Sequence, residues 1–254
     1  MINFKVQKYK QLVSIVVPVT VHLNSAETSW VIIKVFQERK TKTPLLKARI
    51  EVPIEEYSEK ESEIKKFFNS NSVMNLSTLH LSRWSLPYKT YKFSDFHPSG
   101  KTHHCLSVKD TYYHSIDDQP SLIEYDCNGQ PVKVIYHDKG QASRPLEKGP
   151  ADTHYVYDLK GSKIGMNEHF IFGIDKIVKN YRIDPMTPDL PNLMIESYTR
   201  NGKYHRTNGP AYVAFDGRKH VHKFYVDGTF IGTDLGLKTE EEIIAYYQNH
   251  QLMG

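Results

Sequence analysis

The side chains of this chain best suited to metal or nucleophile chemistry stand together at His103, His104 and Cys105. Imidazole and thiolate are the usual ligands of zinc, and a cysteine near a histidine is the usual arrangement of a cysteine nucleophile. Neighbouring residues of a strand point to opposite faces, however, and no second Cys or His pair stands at the spacing of a structural zinc site. The sequence therefore predicts no metal site and no cofactor.

Catalytic motifs are the next feature to consider. Neither Cys105 nor Cys127 lies in a recognised nucleophile signature, and two cysteines are too few for a disulfide framework. The chain has no phosphate-binding glycine loop, no Gly-x-Ser-x-Gly elbow and no His-Glu-x-x-His helix. We therefore expect buried structural cysteines and no catalytic residue. An enzyme with a Cys or His centre is the alternative.

A basic stretch from Arg218 to Lys223 is a candidate binding element. If it is extended, Arg218, His220 and His222 share one face, while Lys219 and Lys223 share the other. A cationic strip with interleaved tyrosines could hold phosphate or carboxylate groups through charge-assisted bonds while the rings stack on a ligand. The predicted binding residues are Arg144, Tyr198, Tyr204, His205, Arg206, Arg218, His220, His222 and Tyr225.

Two structural interpretations of the same residues stay open. Lysines on an exposed edge strand prevent association between sheets, which would explain Lys219 and Lys223 without a ligand. Arg206 could pack over a tyrosine and connect successive structural units. These interpretations and the binding strip predict different effects of removing the arginine.

The elements that position these residues contain a repeated phrase. Lys148-Gly149-Pro150-Ala151 recurs as Asn208-Gly209-Pro210-Ala211, and a weaker copy surrounds Pro120. The three prolines are 30 and 60 residues apart, which fits a unit of about thirty residues with one copy degenerate or missing. A glycine before a proline marks a turn at the beginning of a strand.

Short strands and tight turns follow the last copy. Tyr212 to Phe215 and Val221 to Val226 have β-favouring composition and are separated by Asp216-Gly217. A second Asp-Gly pair, at residues 227 and 228, turns the chain into a third strand. The pattern predicts a β-meander that must stack on its neighbours, because one hairpin alone is marginal in water.

The segment from Tyr198 to Ala211 contains an aromatic residue, then Asn-Gly-Lys, His-Arg and Gly-Pro-Ala. In this order it resembles the variant form of the MORN repeat, and Phe96 to His104 looks like an eroded first half of the same unit. The resemblance covers roughly residues 96 to 235. Proteins of this type are mostly uncharacterised bacterial and bacteriophage products, and the repeats are proposed to form binding surfaces. The resemblance therefore implies an interaction module.

The N-terminal part has a different pattern. Alternating apolar residues predict strands at Val13 to Leu23 and Leu46 to Val52, with a third at Trp30 to Phe36. Because no Gly-Pro-Ala phrase occurs before residue 95, we place a boundary near residues 88 to 95. The predicted domains are an N-terminal sheet with one helix at 1–92 and a MORN-like repeat domain with a C-terminal helix at 93–254.

Two helices are predicted from capping-box spacing. Ser58 and Glu61 precede an apolar stripe that ends at Phe68. Thr239 and Glu242 repeat the spacing before a second stripe, which consists of Ile243, Ile244 and Tyr247. We expect the second helix to cover the open end of the repeat stack, with a partner-binding helix as the alternative.

The proline-rich stretch from Asp184 to Pro191 lies where the missing unit would be. Three prolines at intervals of three favour an extended connector. The segment either replaces a repeat unit or protrudes as a loop used in recognition.

Composition limits the class of protein. The 254 residues are 39% hydrophobic and include 17 tyrosines, which is typical of a folded chain rather than a disordered one. The net charge of +4 permits an acidic partner without requiring nucleic acid. No signal peptide or membrane-spanning run is evident, so we expect a cytoplasmic protein without membrane contact.

These patterns together predict a mainly β protein that binds a partner and catalyses nothing. The resemblance implies a bacteriophage accessory protein that acts in the host cytoplasm and modulates or inhibits a host protein, with a defence factor as one candidate target. The alternative is a nucleic-acid or nucleotide binder that uses the cationic, aromatic strip. The sequence predicts no oligomeric state.

Overall fold

The computed structural model describes residues 5–9, 12–23, 26–39, 42–60, 62, 89–96, 99–110, 112–116 and 118–253. Within these residues the chain is mainly β, and every strand pairing is antiparallel, as predicted. The described residues form two compact units, Met1–Pro131 with His137–Gln141, and Val132–Tyr136 with Ala142–Gly254.

The first unit contains a sheet in which β1 to β6 pair in chain order and β6 also pairs with β7 and β8. The three strands predicted near the N-terminus are confirmed as β2, β3 and β4. The first eleven strands in chain order, of which β9 belongs mainly to the second unit, are β1 (Lys5–Tyr9), β2 (Leu12–Leu23), β3 (Ala26–Arg39), β4 (Lys42–Pro53), β5 (Tyr91–Phe96), β6 (Thr102–Lys109), β7 (Tyr112–Tyr113), β8 (Leu122–Tyr125), β9 (Pro131–Ile135), β10 (His137–Asp138) and β11 (Gln141–Ala142).

Burial in this unit follows the alternation of the sequence. Ala48, Ile50 and Val52 are buried, whereas Arg49 and Glu51 between them are partly exposed and form an ion pair at 2.8 Å. The core therefore lies on one face of β4. The predicted boundary between residues 92 and 93 falls within β5, which pairs with β4 and β6. Whether the parts on either side fold independently stays a prediction.

Helix α1 begins at residue 54, directly after β4, and is described to residue 60. Its start was therefore predicted four residues too late, because Ser58 lies inside the helix instead of capping it. The proline at residue 53, which lacks an N–H, is well tolerated at a helix N-terminus and sets this earlier start. Glu61 and the predicted stripe up to Phe68 lie outside the described residues.

The second unit is a ladder in the order β9, β12, β13, β14, β15, β17, β18 and β19, with β16 paired to β15. The predicted meander is confirmed as its last three strands. The elements are β12 (Asp152–Tyr157), β13 (Lys163–Phe172), β14 (Asp175–Arg182), β15 (Asn192–Arg200), β16 (Lys203–Tyr204), β17 (Tyr212–Phe215), β18 (His220–Val226), β19 (Thr229–Thr233) and helix α2 (Glu240–Met253).

The repeated phrases share the same burial and the same backbone hydrogen bond. In the copies at Pro150 and Pro210 the following alanine is fully buried. The Tyr136 N–H donates to Ala151 O at 2.7 Å, and the Tyr198 N–H donates to Ala211 O at 2.8 Å. The weaker copy contains the equivalent bond, since the Ser107 N–H donates to Ser121 O at 2.8 Å. The repeat inferred from the sequence is therefore a structural repeat of this chain.

Helix α2 packs on the last hairpin. Ile243 is fully buried against Phe224, Val226 and Ile231. Its N-terminus has the predicted capping box, because the Glu242 N–H donates to Thr239 Oγ1 at 3.2 Å and the Thr239 N–H donates to Glu242 Oε2 at 3.1 Å. The predicted cover of this end of the repeat sheet is confirmed.

The proline-rich stretch folds differently from the prediction. It forms two successive turns, in which Thr187 N–H donates to Asp184 O and Leu190 N–H donates to Thr187 O. The Asp184 carboxylate also accepts the Met186 N–H at 2.9 Å, and such an Asp turn overrides the extended preference of the prolines. The long β13–β14 hairpin takes the place of the missing unit.

Candidate functional site

Two of the predicted binding residues, Arg144 and Arg206, occupy equivalent positions in their copies. Arg206 Cζ lies 3.7 Å from the centroid of the Tyr198 ring, and Arg144 Cζ lies 3.7 Å from the centroid of the Tyr136 ring. A guanidinium at this distance makes a cation–π contact with the ring. The sequence suggested this equivalence only loosely, because the arginines stand at different distances from their prolines.

Arg206 also holds its own loop. Its Nε donates to Asn208 Oδ1 at 3.0 Å and its Nη1 donates to Pro210 O at 3.3 Å. Gly209 has φ +155°, and a Cβ at this position would lie 3.2 Å from Arg206 Cζ. We call the segments 144–149 and 206–209 the arginine loops. In each loop a Cβ on the glycine before the proline would contact the guanidinium, and the positive φ of that residue favours glycine.

Tyr198 is fixed from its other end. Its hydroxyl donates to Glu196 Oε1 at 2.8 Å, and Lys179 Nζ lies 3.3 Å from the same oxygen. Burial, together with this carboxylate, raises the pKa of Tyr198 to about 12, so the phenol remains a donor. The contacts of Tyr198 and Arg206 favour the structural interpretation of this pair.

His205 supports the next turn. Its side chain is only 10% exposed, and Nδ1 lies 2.8 Å from Asp227 Oδ1 and 3.1 Å from Asp227 N. The first unit repeats the arrangement with His114 and Asp138, whose Nδ1 and Oδ1 atoms are 3.4 Å apart. The histidine of the His-Arg pair thus belongs to the repeat framework.

Arg218 and Lys219 lie in a turn, so the expectation that they continue the strand is wrong. The Asp216 carboxylate accepts both of their N–H groups at 2.9 Å, and β18 begins only at His220. An Asp side chain that bonds the backbone two and three residues ahead closes a turn before the strand can form. Arg218 is exposed in this turn.

His220 and His222 are exposed on β18, but the ring of each lies near an oxygen atom of another residue. His220 Nε2 lies 3.0 Å from Leu193 O, and His222 Nδ1 lies 3.6 Å from Asp234 Oδ1. Asp234 also pairs with Lys219 at 3.3 Å. This part of the predicted strip is consequently less cationic than its sequence indicates.

Sheet register divides the predicted strip between two faces. Tyr212 pairs with Lys223, whereas Val213 pairs with His222, so Lys223 and His222 lie on opposite faces. Tyr204 and Tyr225 are 5.1 Å apart, centroid to centroid, on the face of Lys223. The other face contains His220 and His222 together with the stacked pair Tyr198 and Arg206. Whether any of these residues binds a partner stays a prediction.

The face that contains Lys223 has a cluster of four rings, which we call the aromatic cluster. Its centroid distances are 5.7 Å for Tyr204 and Tyr212, 5.1 Å for Tyr204 and Tyr225, and 5.2 Å for Tyr225 and Phe230. Phe230 is 47% exposed and Tyr204 is 38% exposed. Lys223 Nζ lies 5.6 Å from the centroid of the Tyr212 ring.

Sequence reasoning missed two members of this cluster. Tyr212 and Phe230 could have been found from hairpin register, because Tyr225 and Phe230 flank the tight Asp227-Gly228 turn at opposing positions. Tyr212 stands two residues after Pro210 and pairs with Lys223. The alternation of both strands then places these side chains on one face.

A groove of about 590 Å³ lies beside the proline-rich stretch. It is bounded by one end of β13, β14 and β15 and by the end of β17. Its lining mixes apolar and charged side chains, namely Ile164, Arg182, Ile183, Asp184, Pro185, Asn192, Met194 and Phe215. This volume fits a small ligand or a peptide side chain. The recognition role suggested for the loop stays a prediction.

Asp152 lies between two histidines on the face that contains the aromatic cluster. Its Oδ1 is 3.1 Å from His154 Nε2, and its Oδ2 is 3.4 Å from His169 Nδ1. Burial raises the pKa of Asp152, but hydrogen bonds and charge from His169 and His154 outweigh burial, and the net shift of the pKa is downward.

Asp152→Asn should therefore flatten the acid side of the stability curve. Because the folded-state pKa of Asp152 is lowered, its ionised form stabilises the fold above the unfolded value of about 3.9, and this contribution is lost as pH falls through the folded pKa. Urea unfolding of both proteins across the acid range measures the effect. A constant difference at every pH would contradict the prediction, and Asp158→Asn, in an exposed turn, is the control.

The two cysteines are free and differ in exposure. Cys105 is partly buried, with Sγ 3.3 Å from Ser94 Oγ. Burial raises the pKa of Cys105 more than the Ser94 bond lowers it, so the reactive thiolate is disfavoured at neutral pH. Cys127 is exposed, and the expectation that it is buried is wrong, because it lies in the Asp126–Gln130 turn after β8.

His103 and His104 do not point to opposite faces as predicted. Asp95 pairs with His104, whereas Phe96 pairs with Thr102, so His103 is the extra residue of a β-bulge. The bulge turns both imidazoles toward Asp95, and the ring centroids are 3.6 Å apart. The argument that excluded a shared site for these histidines is therefore wrong.

Comparison with known proteins adds no family assignment. No family model matches the chain, and no curated protein is significantly similar to it. Among the described residues, no helix combines the length and apolar character needed to cross a bilayer. The MORN resemblance consequently stays a prediction, although the copies share one backbone hydrogen bond.

Proposed function

We propose that this chain is a non-enzymatic binding protein whose aromatic cluster docks on a partner protein. The observation that carries the proposal is a row of four rings in which each contacts the next, and two of them, Phe230 and Tyr204, are more than one third exposed. Aromatic side chains are enriched in protein interfaces and dominate their binding energy. Packed rings are also preorganised, so little side-chain entropy is lost on binding.

The positive charge beside the cluster favours a partner with an acidic surface. Lys223 Nζ lies 5.6 Å from the centroid of the Tyr212 ring, on the same face as the cluster. Complementary charge at the rim of an interface increases the association rate and selects the partner.

Because Arg144 and Arg206 have structural contacts within the chain, we leave both arginines out of the proposed binding surface. Arg144 and Arg206 stack on tyrosines and close their own loops, so their guanidinium groups are engaged within the chain. The binding surface is therefore proposed on the opposite face of the sheet, where the rings of Tyr204 and Tyr225 lie. The raised pKa of Cys105 supports a function without a thiolate nucleophile.

The second candidate is a single-stranded nucleic acid. Exposed rings beside Lys223 are also the elements of a stacking platform for bases. Binding through phosphates would weaken steeply with added salt, whereas docking through rings would weaken little. Salt dependence therefore separates the two candidates.

The biological setting rests on the MORN resemblance alone. We infer from it a bacteriophage accessory protein that binds a host protein in the host cytoplasm and modulates or inhibits it. A partner recovered from bacterial lysate would be the starting point for this hypothesis.

The double variant Tyr204→Ala, Phe230→Ala should lose at least about tenfold in affinity for the partner, because it removes the two exposed rings. The measurement is affinity capture from nuclease-treated bacterial lysate, followed by titration of the recovered partner at low and high salt. Leu159→Ala is the matched control, since Leu159 is fully exposed in a turn of the same unit.

The outcomes are distinct. A partner that survives nuclease and salt and is lost only from the double variant supports the proposal. Capture abolished by nuclease, with steep salt dependence, favours the nucleic-acid candidate. Equal binding by wild type and a folded double variant, as judged by its melting temperature, contradicts both.

A further inference from the structure

Three metal-ligating side chains of the first unit converge on one point. The atoms Asp95 Oδ1, His103 Nδ1 and His104 Nδ1 all lie within 4.8 Å of one another. His104 Nδ1 is 3.0 Å from Asp95 Oδ1, and His103 Nδ1 is 3.8 Å from the same oxygen. Ligands at about 2.0–2.1 Å from a tetrahedral zinc ion are about 3.3 Å apart, so small movements bring these atoms to metal-binding distances.

We propose that Asp95, His103 and His104 form a binding site for a divalent transition-metal ion, with Zn²⁺ as the occupant. Two imidazoles and one carboxylate are a donor set that suits zinc, whereas calcium and magnesium prefer oxygen ligands alone. Cys105 is not part of the set, because it alternates to the other face and contacts Ser94.

The arrangement of the imidazoles supports a cation rather than a simple ion pair. One histidine suffices to pair with Asp95, and His104 already does so at 3.0 Å. The bulge brings the second ring to a centroid distance of 3.6 Å, with its Nδ1 3.8 Å from the same Asp95 oxygen. A shared metal ion lets both neutral rings direct a lone pair toward the same point.

The bulge and the burial define a site that is anchored on one side and open on the other. The side chains of Asp95 and His104 are 8% and 15% exposed, whereas that of His103 is 41% exposed. The Asp95 carboxylate is further fixed by the His104 N–H at 2.8 Å. β-Bulges are common where a strand re-aims a side chain for function.

Completion of the coordination shell can come from the same face. Glu124 of β8 pairs directly with His104 of β6, so its carboxylate is on the face of the two imidazoles. Water on the exposed side of His103 is the other source. Three protein ligands with one open position are typical of zinc sites that bind a further ligand.

The test is titration of Zn²⁺ alone into the chelator-stripped full chain by calorimetry, with Co²⁺ substitution to read coordination from the visible spectrum. One equivalent should bind, and the Co²⁺ complex should show the intense bands of a tetrahedral centre. Zn²⁺ should also raise the melting temperature, because it binds the folded state.

His103→Ala should weaken Zn²⁺ binding by more than about a hundredfold, since loss of a ligand costs more than loss of its supporting partner. His103 is the exposed ligand, so its removal leaves the core intact. His104→Ala should have the same effect, and His114→Ala, which removes a histidine paired with one carboxylate elsewhere in the unit, should have none.

The results of these titrations either support or overturn the proposed metal site. One equivalent lost in both ligand variants and retained in His114→Ala supports it. Absence of one-equivalent binding in the wild type overturns it. Binding by folded His103→Ala with unchanged affinity also overturns it, because the ion would then occupy another position.

Discussion

Ile243→Ala should lower the free energy of unfolding of the second unit by about 2–5 kcal/mol. Ile243 is fully buried between helix α2 and the last hairpin, where it packs with Phe224, Val226 and Ile231. Its truncation leaves a cavity beneath the helix, and the end of the sheet loses its cover. Urea unfolding measures the total effect, and hydrogen exchange in β18 and β19 should show where protection is lost.

Leu252→Ala provides the control within the same helix. Leu252 is 84% exposed, so its truncation should change stability by less than about 0.5 kcal/mol. If Ile243→Ala leaves the exchange of β18 and β19 unchanged, α2 does not stabilise this end of the sheet. The alternative of a partner-binding helix would then gain support.

Arg206→Ala should lower the free energy of unfolding by about 1–2 kcal/mol, because it removes a stacked guanidinium and two hydrogen bonds to its own loop. Arg144→Ala should have a similar effect if the copies are energetically equivalent. Arg218→Ala, which truncates an exposed arginine of a turn, is the matched control and should be nearly neutral. Thermal and urea unfolding measure all three.

The same variants decide between the two interpretations of Arg206. A lower melting temperature with unchanged partner affinity makes the arginine part of the framework. Weaker partner binding with an unchanged melting temperature makes it part of the binding surface instead. The second result would return the proposed site to the face that contains Tyr198.

Features set by local chemistry could be predicted from the sequence. The Asp227-Gly228 turn, the Gly-Pro turns and the Thr239 capping box each depend on a few neighbouring residues, and all are present. The alternation in β4 predicted its buried face, because one side of that strand is apolar. For these elements, local preference and final packing agree.

Features set by strand pairing could not be predicted. The bulge at His103 depends on how β6 pairs with β5, and one inserted residue reverses the face of a side chain. Tyr204 and Tyr198 lie on opposite faces of the sheet, and this depends on which strands are neighbours in the ladder. The start of α1 was missed because the capping box at Ser58 ignored the proline that ends β4.

The arginine loops differ in length, but the distance between the stacked guanidinium and ring is the same in both. Gly149 follows Arg144 by five positions, whereas Gly209 follows Arg206 by three. Both guanidinium groups nevertheless lie 3.7 Å from their ring centroids, and the two additional residues are taken up near the exposed 3₁₀ turn Leu146–Lys148. This turn is therefore a natural graft position, where a foreign peptide could be displayed with the strands beneath it undisturbed.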